Sequence, residues 1–159
     1  MRTIVNLRGE RLCGSYVLEK SACEQHGITL VNFKVRSRAA PGREEIKAAA
    51  ELFERIEYPM LLHCKSGADR TGLMSVLYRF LKEGVPLIEA KQELSLRYGH
   101  SRQYGSGILD HFFERYIDDN RRRPMPFLDW LDKVYDPEEL RRSFRGRNNR
   151  LLDRLRARE

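Results

Sequence analysis

The sequence predicts an α/β fold: a mainly parallel central sheet flanked by helices. Two patterns predict it. Segments rich in β-branched residues alternate with segments of helical apolar spacing through the first half, and only helical spacing recurs in the second. A third observation is the stretch "HCKSGADRTG" (63–72), which reads as a Cys-x5-Arg loop between a strand and a helix.

In chain order, "TIVNL" (3–7) and "ITLVNFKV" (28–35) read as strands. "EKSACEQHG" (19–27) between them reads as a short helix ending at Gly27, and "RSRAAPG" (36–42) as a loop. Ile46, Ala49, Ala50, Phe53 and Ile56 give helical spacing over 43–57, broken by Tyr58-Pro59, and "MLLH" (60–63) reads as a short buried strand. A helix follows from Thr71 to Gly84 on the stripe Leu73, Val76, Leu77, Phe80 and Leu81, and another starts at Pro86 with Leu87, Ala90 and Leu94 inward. "YGHSRQYGSG" (98–107) is a loop, and Ile108, Leu109, Phe112, Phe113, Tyr116 and Ile117 mark a further helix. "RRRPMP" (121–126) reads as a linker to two or three short helices. The expected organisation is a domain over 1–120 and a basic, helical C-terminal extension over 121–159.

The 159 residues are 41% hydrophobic and 33% charged, as expected of a soluble domain with a core of its own. There is no apolar run of membrane-spanning length and no secretory leader pattern, so the expected location is cytoplasmic, an upstream strand or anchor before Met1 aside. Cys13, Cys23 and Cys64 form no CxxC pair, which argues for reduced thiols and against a zinc site. His26, His100 and His111 lack metal-ligand spacing and read as surface or core histidines; no metal or cofactor is expected. The net charge is +7, and residues 121–159 carry +5 of it, with 12 Lys/Arg against 7 Asp/Glu. Such a tail reads first as a solvated helix; contact with an anionic membrane surface is the functional alternative, and no specific nucleic-acid partner is expected. Leu151, Leu152 and Leu155 give the tail little apolar surface.

The chemistry lies in 63–72. Backbone N–H groups at a helix start are positively polarised and lack intrahelical partners, so a loop curled over them makes an anion-binding nest. Gly67 permits the curl, Arg70 adds a bidentate fork for phosphate oxygens, and Cys64 sits at the bottom. The same field favours the Cys64 thiolate, placed for in-line attack on phosphorus and a cysteinyl-phosphate intermediate. Thr71 is placed to hydrogen-bond the sulfur, and His63 to orient the loop.

"HCKSGADRTG" resembles the HCxxGxxR(S/T) signature of the cysteine-dependent protein tyrosine and dual-specificity phosphatases, and over about residues 1 to 120 the chain is similar to small bacterial dual-specificity-like phosphatases. The resemblance implies that Cys64 is the nucleophile and that Arg70 binds phosphate and stabilises the transition state. It also implies that the loop residues Lys65, Ser66, Gly67, Ala68, Asp69 and Arg70 line the phosphate cradle. The family's usual general acid is an Asp on a neighbouring loop; the corresponding "KVRSRAAPG" holds no carboxylate. Three answers stand open: Asp69, whose place before Arg70 is similar to myotubularin-type lipid phosphatases; Glu44 or Glu45 from the next helix; or no acid, with only good leaving groups turned over. The bland reading of Asp69 is a carboxylate that orients Arg70 or caps the helix.

Two substrate classes compete, phosphotyrosine proteins and phosphoinositides or inositol phosphates. Lys65 with Arg36, Arg38 and Arg43 forms a candidate rim for a polyanion, and "HCKxG" resembles the tensin-type phosphoinositide phosphatases. Reading the two arginines Arg36 and Arg38 as solvated loop charges is the alternative. Different in kind are a catalytically weak phospho-ligand-binding module and a rhodanese-type sulfur-transfer enzyme; Gly67 and Arg70-Thr71 favour the phosphatase. Arg102 or His100 is a candidate pocket wall, and Cys13 or Cys23 a candidate disulfide partner for oxidised Cys64. The oligomeric state is not legible.

Overall fold

The computed structural model describes residues 1–102 and 104–145. The tail leucines Leu151, Leu152 and Leu155 lie outside the described residues. The sheet is three-stranded and all parallel, in the order β2–β1–β3, with β1 at Thr3–Asn6, β2 at Thr29–Asn32 and β3 at Met60–His63. Asn6 pairs with both Asn32 and His63, so the strands end level and their following loops leave from one carboxyl edge. α1 (Gly14–Gln25) joins β1 to β2, and α2 (Arg43–Arg55) joins β2 to β3. The chain departs from β1 to one side and returns on the other. That reversal of strand order opens a crevice at the carboxyl edge of a parallel sheet, between the loops after β1 and β3.

The sheet is small, and burial is concentrated on its central strand: Val5 is fully buried, whereas Leu61 on β3 is 44% exposed. The apolar run "MLLH" therefore marks an edge strand rather than a buried one. Helix boundaries also differ from expectation. α1 starts at Gly14 rather than at 19. α3 (Asp69–Leu77) starts two residues earlier than expected, so Asp69 and Arg70 belong to its first turn, and it continues into a π turn at Tyr78–Lys82. The helix expected from Pro86 is a single turn, α4 (Leu87–Ala90), followed by 3-10 turns at Lys91–Glu93 and Leu96–Tyr98. α5 (Ile108–Arg122) runs into the first residues of the expected linker.

One apolar cluster holds these elements together. It includes Ile46 and Phe53 of α2, Leu73 and Leu77 of α3, and Phe112 and Phe113 of α5. Trp130 and Leu131 of α6 (Phe127–Lys133) belong to it too, as do Tyr135, Leu140 and Phe144 beyond. Residues on both sides of position 120 thus share one core. Phe112 lies at the centre of an aromatic group, with its ring centroid 5.8 Å from Trp130 and 5.0 Å from Tyr135. Tyr135 donates its hydroxyl to the Pro41 carbonyl at 2.7 Å, and Arg43 Nε donates to the Tyr135 carbonyl at 2.7 Å.

Candidate active site

Residues 64–68 carry the chain from the end of β3 into α3. Cys64 and Ala68 are buried while Lys65, Ser66 and Gly67 are exposed, so the loop arches over the sulfur and descends into the helix. Gly67 has φ +73, and no atom lies within 4 Å of where its Cβ would be. Glycine is needed there for its backbone conformation and not for lack of space. Burial pushes the Cys64 thiol up. The Thr71 hydroxyl and the backbone N–H groups of Ser66, Thr71 and Gly67 together outweigh that and bring it down to about 7. The Thr71 hydroxyl is buried without an oxygen or nitrogen partner among the described residues, which leaves it to the sulfur.

The root of the loop is tied to the central strand. Glu19 of α1 accepts from Asn6 Nδ2 at 3.3 Å, and its other oxygen lies 2.5 Å from His63 Nε2. His63 Nδ1 lies 3.3 Å from the Cys64 carbonyl oxygen. On the other side, Gly72 lets α3 approach the 91–94 segment: a Cβ there would lie 2.8 Å from Leu94 Cδ2 and 3.2 Å from the Glu93 carbonyl oxygen.

The basic side chains divide into two groups. Arg36 lies 3.6 Å from Glu45, and Arg43 is bound to the Tyr135 carbonyl; both are engaged in holding the start of α2. Arg8, Arg11, Arg38, Lys65 and Arg70, on the loops after β1, β2 and β3 and the first turn of α3, have no carboxylate partner among the described residues. Arg8 Nε is buried with no hydrogen-bond partner among the described residues. Leu12, between Arg11 and Cys13 on the first of these loops, is fully exposed.

The candidate acids divide as well. Glu45 accepts from the Gly42 N–H at 3.2 Å and from the Arg36 N–H at 3.1 Å, which makes it the N-terminal cap of α2. Glu44 is exposed beside Lys47. Asp69, in the first turn of α3, is held by a residue of distant sequence: its Oδ1 lies 2.8 Å from His100 Nδ1. His100 Nε2 in turn lies 2.7 Å from Asp110 Oδ2, and Arg102 Nε lies 2.9 Å from Asp110 Oδ1. His100 and Asp110 are each 1% exposed. Burial alone would push the His100 imidazole down; its hydrogen bonds to Asp110 and Asp69 prevail and hold it above the usual histidine range.

Sequence reasoning placed His100 only as a surface, core or wall residue and passed over Asp110. The available signal was a carboxylate set among the apolar stripe residues Ile108, Leu109, Phe112 and Phe113. Of the other histidines, His26 is exposed and His111 contacts Ser143 Oγ at 2.8 Å. All three cysteines are free thiols, and Cys23 is buried on α1. Among the described residues, no helix is long and apolar enough to cross a membrane.

A search of curated proteins finds no match to this chain. Residues 1–107, which carry the sheet, the Cys64 loop, Asp69 and His100, match the family described as "DSP-PTPase phosphatase fused to NAD+ Kinase", and the chain belongs to that family, with a dual-specificity phosphatase-like domain.

Proposed function

We propose that the chain is a phosphomonoester hydrolase working through a cysteinyl-phosphate, with Cys64 as nucleophile, Arg70 as the phosphate fork and Asp69 as the acid. The observation that carries this reading is the Cys64 thiol brought down to about 7 by three backbone N–H groups and one hydroxyl. The same N–H groups, in the loop before α3 and in its first turn, suit the equatorial oxygens of a phosphoryl group. Arg70 makes no ion pair with another described residue and is free to take a phosphate. In the first step the thiolate attacks phosphorus, the P–O bond to the leaving group breaks, and the leaving oxygen takes a proton from Asp69. In the second, water attacks phosphorus, its proton passes to Asp69, and the S–P bond breaks.

Asp69 is preferred over Glu45, which is committed to the helix cap, and over Glu44, which is paired with Lys47 on the surface. A phosphotyrosine or dual-specificity substrate follows from the family; a phosphoinositide or inositol phosphate is the second reading. Arg8, Arg11, Arg38 and Lys65 favour it, because each unpaired cation at the carboxyl edge adds attraction for a further phosphate. A substrate panel of aryl phosphate, phosphotyrosine peptide and phosphoinositide, run on wild type and Cys64→Ser, tests both readings. Turnover abolished by Cys64→Ser supports the hydrolase, and the preferred member of the panel decides between substrates. Tight binding of phosphorylated ligands without turnover would replace the hydrolase with a binding module.

A further inference from the structure

The Asp69–His100–Asp110 chain has a proton count that its geometry imposes. Both imidazole nitrogens face carboxylate oxygens, at 2.8 and 2.7 Å. A ring with one proton can donate to one of them only; the other contact would then oppose two lone pairs. Two protons must therefore occupy the two contacts. Either the ring is an imidazolium between two carboxylates, or it is neutral and one carboxyl is protonated. Arg102 Nε lies 2.9 Å from the second oxygen of Asp110, which places a positive charge on that side of the carboxylate. The Asp110 contact then holds one proton on the ring, and the ring's second proton lies in the Asp69 contact.

The groups facing His100 are Asp69 from α3 and Asp110 from α5, with Arg102 behind Asp110. The loop bearing His100 packs directly on the Cys64 loop: a Cβ on Gly99 would lie 3.7 Å from the Ala68 Cβ. A buried ion at this junction, linking the first turn of α3 to the start of α5, is more than fold maintenance requires. An apolar side chain would fill the space with no desolvation cost.

We propose that His100 is the positioning residue of the acid: it donates from Nδ1 to Asp69 Oδ1, leaves Oδ2 free for the leaving oxygen, and stabilises the carboxylate that remains after Oδ2 has given up its proton. Asp110 keeps the ring protonated. The proton travels from Asp69 Oδ2 to the leaving oxygen as the P–O bond breaks, and is restored from the attacking water as the S–P bond breaks. His100 retains both its protons throughout, so it acts through Asp69 and never touches the substrate. This inference rests on the reading of Asp69 as the acid.

The test is kcat and KM across pH for a phosphoserine peptide, whose alkoxide is a poor leaving group, and for an aryl phosphate. Wild type, Asp69→Asn, His100→Asn and Asp110→Asn are compared, and alkylation of Cys64 reports whether the loop is intact. His100→Asn keeps a donor near Oδ1 but carries no charge. It should lower kcat on phosphoserine about tenfold to a hundredfold, within the range of general-acid effects, while leaving KM and the aryl phosphate rate close to wild type. Asp110→Asn, an isosteric change, should move the alkaline limb of kcat/KM to higher pH, because a ring that gives up its charge no longer favours the Asp69 carboxylate, and Asp69 then keeps its proton further up the pH range. Equal losses on both esters in His100→Asn, or an alkaline limb unmoved in Asp110→Asn, would reduce His100 to a structural residue. If Asp69→Asn itself fails to discriminate between the esters, the reading of Asp69 falls. If Asp69→Asn discriminates and His100→Asn does not, only this inference falls. Should His100→Asn not fold, the limb of Asp110→Asn decides.

Discussion

Replacing Thr71 by valine isolates the hydrogen bond that contributes most to lowering the Cys64 pKa. The change is close to isosteric, and the hydroxyl has no oxygen or nitrogen partner, so valine leaves no other group unpaired. A hydrogen bond to an ionised acceptor is worth roughly 1.5–3 kcal/mol. At about 1.4 kcal/mol per pKa unit, that corresponds to one to two units. Cys64 should therefore rise from about 7 to roughly 8–9. At pH 7 the thiolate fraction would fall from about one half to between roughly a tenth and a hundredth. The assay is the pH dependence of iodoacetamide alkylation, read by mass on the peptide that carries Cys64. Peptide resolution is needed because Cys13 is also a lowered thiol, through the Ser15 hydroxyl and the Tyr16 N–H. The expected result is a midpoint displaced upward by at least about one unit, with the thermal transition unchanged. A midpoint within a few tenths of wild type would refute the assignment of the hydroxyl to the sulfur and leave the backbone N–H groups as the whole cause.

Three further outcomes follow from packing and charge. Gly72→Ala forces a Cβ against Leu94 and the Glu93 carbonyl and should cost about 1–3 kcal/mol of stability, measured by urea denaturation. Because the folded-state pKa of His100 is raised, its stabilisation is fully present below the unfolded value near 6.5 and is lost as pH rises through the raised value; the slope of unfolding free energy against pH in that window should flatten in His100→Asn. A chain ending at Asn120 lacks Phe127, Trp130, Leu131, Tyr135, Leu140 and Phe144 and should lose its cooperative thermal transition, because those side chains fill the core shared with α2 and α5. A sharp transition retained in that shortened chain would show that residues 1–120 fold alone.

The parallel architecture was legible because period-2 and helical patterns alternate, and the Cys64–Arg70 spacing was legible because the chemistry is local. A buried cysteine, a left-handed glycine and a helix start need only nine residues of chain from His63 to Thr71. Three features were not legible. "MLLH" carries the composition of a buried strand, and nothing in four residues says which strand has a neighbour on one side only. The helix after Pro86 has its apolar spacing, but Leu94 is buried through 3-10 turns that the 3.6-residue period does not describe. His100 sits in "YGHSRQYGSG", whose composition says loop; its partner Asp69 is 31 residues away. Contacts of that separation depend on how α3 and the 98–107 loop pack, and single-sequence patterns carry no such information.

The family match ends at residue 107, but Asp110 stands beyond it on α5. Under the proposed mechanism, a chain that keeps the first 107 residues and carries a different following helix keeps Cys64, its loop, Asp69 and His100, yet loses the carboxylate that lies 2.7 Å from the ring. Its leaving-group step would then operate over a different acidity range with every signature residue intact. Under that mechanism the helix after the matched residues thus also sets the pH range of the reaction.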